Sequence, residues 1–128
     1  MEMNIDNPTY IDGFFLPVPK AYLEEYRQVA EQVAAIWKEH GALAYHEFVG
    51  DDMTLAGTRS FPDAVGAKAD EVIVFGWVVF DSRATRDLAN ERVAADPRMP
   101  DLIGPLTNPS RVVFDAARMV YGGFRSLI

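Results

Sequence analysis

The succession of secondary-structure signals in this chain predicts an α+β fold of the ferredoxin-like βαββαβ type, a four-stranded antiparallel sheet with two helices on one face. Two observations carry the reading. Two segments with apolar residues at helical spacing each lie between β-rich segments, so the chain divides into two similar halves. The second half opens with Val72 to Phe80, VIVFGWVVF, an uninterrupted apolar stretch of the kind found in strands buried on both faces. A length of 128 residues, 49% hydrophobic and 24% charged, suits a single domain over residues 1–128.

The elements follow in order. Tyr10 to Val18 is rich in β-formers and closes at Pro17 and Pro19, which ladder hydrogen bonding tolerates only near strand ends and edges. Tyr22, Tyr26, Val29, Val33, Ile36 and Trp37 then recur every three or four residues, opposite a face of Glu24, Glu25, Arg27, Glu31 and Lys38. This amphipathic helix ends at His40-Gly41, with Gly41 able to take a left-handed conformation and His40 placed to meet the negative end of the helix dipole. A second strand is expected over Leu43 to Val49. After the third strand, Asp81 or Ser82 can cap a helix whose apolar face reads as Ala84, Leu88 and Val93 and which Asp96-Pro97 stops. The last strand is expected over Arg118 to Leu127. Two connections, residues 50–71 and 97–117, are long for such a domain; the second holds four of the eight prolines. Segments of this kind commonly form lids or binding loops.

The third strand has a further consequence. Two helices cover one face of the sheet, yet Val72 to Phe80 has no charged residue for the other. An apolar sheet face of that extent calls for a cover. Pairing with the same face of a second copy gives a dimeric α+β barrel; the alternative is that the long loops fold back over it.

Composition excludes several classes. Without cysteine there are no disulfides, thiolate metal sites or Cys nucleophile. A net charge of −7, with Lys68 isolated among Asp63, Asp70 and Glu71, argues against nucleic acid as a partner. The start of the chain is acidic and polar, unlike a signal peptide, and the longest apolar run is too short to span a membrane. The expected location is cytoplasmic, with no membrane partner. No phosphate-binding glycine loop is present, and two histidines without thiolates make a poor transition-metal site. Asp51-Asp52 reads as a solvated acidic pair. No metal and no cofactor are expected.

Several runs in this sequence resemble the YbaA-like family of unknown function (domain of unknown function 1428): Tyr10-Ile11-Asp12-Gly13-Phe14 with Pro17-Val18-Pro19-Lys20, Trp37-Lys38-Glu39-His40-Gly41-Ala42-Leu43, Gly50-Asp51-Asp52 and Ser60-Phe61-Pro62. Ala95-Asp96-Pro97-Arg98-Met99 and Arg118-Met119-Val120-Tyr121-Gly122-Gly123-Phe124 extend the similarity over nearly the whole chain. The resemblance implies membership of the dimeric α+β barrel superfamily, whose members include cofactor-independent monooxygenases, lactone isomerases, haem-handling proteins and non-catalytic proteins. It supplies no catalytic residues. Val113-Phe114-Asp115-Ala116-Ala117 departs from the family, which more often has a Met-Pro-Phe-Asp-Gly-Lys-like run there.

The candidate site residues come from the strands. His46 shares a side of its strand with Ala44 and Phe48 and is expected opposite Gly76, where a missing side chain leaves space for a ligand beside Phe75 and Trp77. There it would shuttle protons near neutral pH; otherwise it is an exposed or structurally bonded histidine. Asp12, a carboxylate within a central strand, needs a partner, and Arg125 is in reach through antiparallel pairing. Tyr121, Arg118 and Gly122-Gly123 are placed to line the same cavity, although paired glycines also suit a bulge. The catalytic candidates are therefore His46, Asp12 and Tyr121, and the ligand-binding candidates are Phe75, Trp77 and Arg118. Two functions fit: a cofactor-independent protein that binds or transforms a small, largely apolar molecule inside a homodimeric barrel, or a non-catalytic dimeric module for structure or interaction.

Overall fold

A computed structural model describes residues 9–128. The polar start of the chain, residues 1–8, on which the argument against a targeting signal rests, lies outside them. Strands β1 (Tyr10–Pro19), β2 (Ala44–Val49), β3 (Glu71–Phe80) and β4 (Val120–Arg125) form one sheet in the order β2-β3-β1-β4, with every neighbouring pair antiparallel. Helices α1 (Leu23–Glu39) and α3 (Arg83–Ala95) cross the same face, which is the βαββαβ arrangement expected. No helix among the described residues is long and apolar enough to cross a membrane.

The long connections contain structure that periodicity did not show. Helix α2 (Phe61–Val65) is capped by Ser60, whose Oγ accepts from the Asp63 amide at 3.2 Å. Helix α4 (Arg98–Ile103) runs into a 3₁₀ turn at Gly104–Leu106. Ser82, rather than Asp81, caps α3. At the end of α1, Gly41 has φ 122°, the left-handed side that glycine enters without a Cβ penalty. His40 turns its Nε2 to Asp96, 2.8 Å away, and Arg98 grips the same carboxylate.

Residues two apart on a strand share a face, and the core contacts identify each face. Tyr10, Asp12, Phe14, Leu16 and Val18 of β1, with Val74, Val78 and Phe80 of β3, point toward the helices. Phe15, Phe75, Trp77 and Phe48 point the other way. This second face is covered only in part: Phe61 of α2 meets Phe15 edge-on at 4.8 Å and Phe75 at 5.8 Å. Phe48 and Phe124 stay 53% and 57% exposed on a single chain.

On the helix face one position is unusual. Gly76 is not beside an empty space, as the sequence suggested; the ring of Phe14 lies across it. A Cβ at Gly76 would stand 2.7 Å from Phe14 Cε1 and closer still to Cζ. Gly76→Ala should therefore cost about 1–3 kcal/mol in denaturant unfolding, as overpacking does. Combined with Phe14→Leu the loss should be smaller than the sum of the two single losses, because the substituted groups meet each other.

Candidate functional site

Between the sheet and the helices lies a cavity of about 310 Å³. Its floor is Phe14 and Val78, and α1 supplies Tyr26, Val29, Ala30, Val33 and Trp37. The segment 97–117 closes it with Met99 and Ile103 of α4, then Leu106 and Phe114. The small side chain of Ala30 and the flattened Phe14 ring leave the room between helix and strand. Engineered apolar cavities of roughly 150 Å³ already admit benzene, so this space is sufficient for a substituted ring.

Polar groups stand at two places on the wall. At one, Asp12 is fully buried and takes a hydrogen bond from Arg86 Nη1 at 2.9 Å. The same guanidinium donates to the hydroxyls of Tyr121, 2.9 Å, and Tyr10, 3.1 Å. Asn90, one turn further along α3, completes this end. Burial pushes the Asp12 carboxyl above its ordinary range, against the opposing pull of the Tyr121 hydroxyl and Arg86. Burial and the neighbouring Asp12 raise the Tyr121 phenol as well, so it stays a neutral donor. Gly123 makes the arrangement possible, since a Cβ there would meet Arg86 Nη1 at 2.8 Å.

At the other place is Glu47 on the edge strand β2. Its carboxylate accepts the hydroxyl of Tyr26 on one oxygen and that of Tyr45, at 2.7 Å, on the other. Burial, reinforced by the Glu47 charge, holds both phenols well above their usual range. Glu47, Gly76, Phe14 and Tyr121 occupy one row across the four strands. The two polar groups are thus three strand spacings apart, about 14 Å between backbones.

The structure brings Asp12 and Tyr121 together at this cavity and leaves the other sequence candidates out of it. His46 stands opposite Trp77, not Gly76. That one-residue difference in register turns it to the open face, where it is exposed and tilted against Trp77 at 5.6 Å. Its neighbour Glu47 takes the position opposite Gly76. Phe75 and Trp77 also lie on the open face. Arg118 closes on Glu71 at 2.7 Å and on the Gly66 carbonyl, away from the cavity. Arg125 is opposite Tyr10 and is not the partner of Asp12; Arg86 is. The apolar face expected for α3 is also corrected. Val93 is buried as expected, but Ala84 and Leu88 are exposed, Leu88 to 44%, and Ala89 packs in their place. That rotation turns Arg86 and Asn90 inward. Reading Arg86, Ala89, Asn90 and Val93 as one i, i+3, i+4, i+7 face, with a lone buried acid on β1 in need of a cation, is the signal that identifies them.

A family model described as "Protein of unknown function (DUF1428)" matches residues 9–116. The chain belongs to this family. Its DUF1428 relatives include the uncharacterized protein YbaA of Escherichia coli strain K12, 37% identical over 119 residues, 93% of this chain and 97% of that one. YbaA of Shigella flexneri matches equally. Among solved structures, a NIPSNAP family protein of unknown function from Agrobacterium tumefaciens superposes with a TM-score of 0.54 at 16% identity, over 93% of this chain and 88% of that one. An uncharacterized NIPSNAP domain protein from Burkholderia xenovorans gives 0.51 at 11%, over 91% and 93%. These likenesses extend the fold, not a function, to this DUF1428 chain.

The Arg86 cluster makes a direct stability prediction. Arg86→Met leaves a buried carboxylate without its cation, and urea unfolding should show a loss of about 3–5 kcal/mol, the range for one-sided removal of a buried pair. Arg86→Lys should recover only part of it, because one ammonium cannot serve Asp12, Tyr121 and Tyr10 in the fixed geometry of a guanidinium.

Proposed function

We propose that this protein binds a small, largely apolar molecule in the cavity between sheet and helices, without a cofactor, as one half of a homodimeric α+β barrel. The observation that supports it is the cavity itself: about 310 Å³ of mostly apolar wall, with polar side chains confined to two places. This is the usual composition of a small-molecule site, and the volume is at the lower end of the usual range. Every buried side-chain nitrogen and oxygen among the described residues has a hydrogen-bond partner, so the polar groups are held in place before any ligand arrives. If a bound molecule is transformed, the Asp12 carboxylate is placed to accept a proton and the Tyr121 phenol to donate one. Filling the cavity tests the reading. Ala30→Phe should fold normally by circular dichroism yet lose the thermal stabilisation that hits from a fragment screen confer on the wild type. A wild type stabilised by no fragment would remove the proposal.

A second copy is the proposed cover for the open face, where Phe48, Phe75, Val120 and Phe124 are exposed on one chain. The same observation supports the second reading, a non-catalytic dimeric module, which needs nothing from the cavity. Light scattering should give twice the chain mass at micromolar concentration, as expected for an interface of standard size, on the order of 1,500 Å². Trp77→Glu should shift the mass to that of the monomer or abolish folding. A well-folded wild-type monomer would overturn the dimer.

A further inference from the structure

We infer that the cavity selects an amine, an apolar molecule whose protonated nitrogen sits against Glu47. The inference rests on the cavity being a binding site and adds the chemical class of its occupant. Four other acids in or near the core each have an arginine: Asp12 has Arg86, Glu25 has Arg111, Glu71 has Arg118 and Asp96 has Arg98. Glu47 does not. Among the described residues its recorded side-chain partners are two neutral phenols, from Tyr26 and Tyr45. A carboxylate has about four lone-pair sites and no donor of its own once ionised, so each Glu47 oxygen keeps an accepting position after the tyrosines are served. The two tyrosines fix the carboxylate on the wall without cancelling its charge.

The surroundings favour the same class. Tyr26, Tyr45, Trp37 and Phe14 all line the cavity, and aromatic faces attract an organic cation in addition to covering its apolar body. The arginine at the far end is committed: its guanidinium nitrogens already serve Asp12, Tyr121, Tyr10 and Asp87. Among the described residues that line the cavity no cation is left to receive a carboxylate or phosphate, and an anion brought beside Glu47 would meet a like charge in an environment of low dielectric. A neutral alcohol can donate to the Glu47 carboxylate as well, but it brings neither a countercharge to that carboxylate nor the attraction of a cation to the rings.

Matched ligands differing only in their terminal group test this on the full-length chain. Isothermal titration would use 2-phenylethylamine, 2-phenylethanol and phenylacetate, then tryptamine, tryptophol and indole-3-acetate, at neutral pH. In at least one series the amine should bind about tenfold or more tighter than the alcohol, as expected where an ion pair replaces the hydrogen bond of a neutral donor, and the acid should bind weakest. Glu47→Gln, checked for folding by circular dichroism, should erase the preference for the amine, because it costs the amine more affinity than the alcohol. If the variant fails to fold, the wild-type ranking still decides. Alcohols that bind as tightly as the amines would overturn the amine and leave the cavity reading standing. No binding by any of the six would overturn both.

Discussion

The two central strands are apolar on both faces except at Asp12, and the rest of the molecule answers to that constraint. Along β1 and β3, residues facing the helices (Phe14, Leu16, Val74, Val78) alternate with residues facing away that are equally apolar (Phe15, Phe75, Trp77). A sheet with one wet face does not look like this. One side is covered by α1 and α3. The other receives Phe61 from the connection before β3, which stacks edge-on against Phe15 and Phe75 and stops there. The two long connections thus divide the labour, since residues 50–71 reach the open face and residues 97–117 roof the cavity.

Space on the helix side is decided by a pair of residues. Because Gly76 has no side chain, the Phe14 ring can lie flat across β3 instead of standing up into the gap between sheet and helix. With Ala30 facing it from α1, the helix stays at its packing distance and the layer between is not filled. Voids in protein interiors are costly because wall atoms lose contacts on one side. This one is kept open by backbone-level choices, a glycine and an alanine. Its polar groups are fixed by bonds to one another: Arg86 ties β1, α3 and β4 together, and Glu47 ties β2 to α1.

The order of the strands and helices was legible because long segments carried a single clear period, 3.6 along α1 and an unbroken apolar run along β3. The site was less legible, for two reasons that lie in particular residues. His46 and Glu47 are adjacent on β2, and which of them faces the cavity depends on a register that no local signal in residues 43–49 specifies. In α3 the apolar pattern points to Leu88, which is exposed, whereas the helix buries Ala89 beside Val93. Small residues allow close packing but weigh little in a hydrophobic pattern, so the pattern does not show that the helix turns Ala89, and with it Arg86, toward the sheet. Asp12 is legible as a group in need of a partner, because a carboxylate in a central strand is conspicuous. Its partner came from a helix rather than from the neighbouring strand.

Strand alternation also sets how the two faces relate. Trp77 and Val78, Phe75 and Gly76, and His46 and Glu47 are successive residues that belong to opposite sides of the sheet. A side chain can therefore be altered on the open face without touching the cavity directly, since the hydrogen-bonded ladder holds the backbone between them. The exception is a change that moves the backbone itself. At Gly76 and Gly123 the main chain is pressed by Phe14, Tyr10 and Arg86 from the helix side, while Phe124 lies over Gly13 and Gly122 from the other, with a Cβ at Gly13 only 3.3 Å from its ring. Through β1 and β4 the two faces meet with almost no side chain between them.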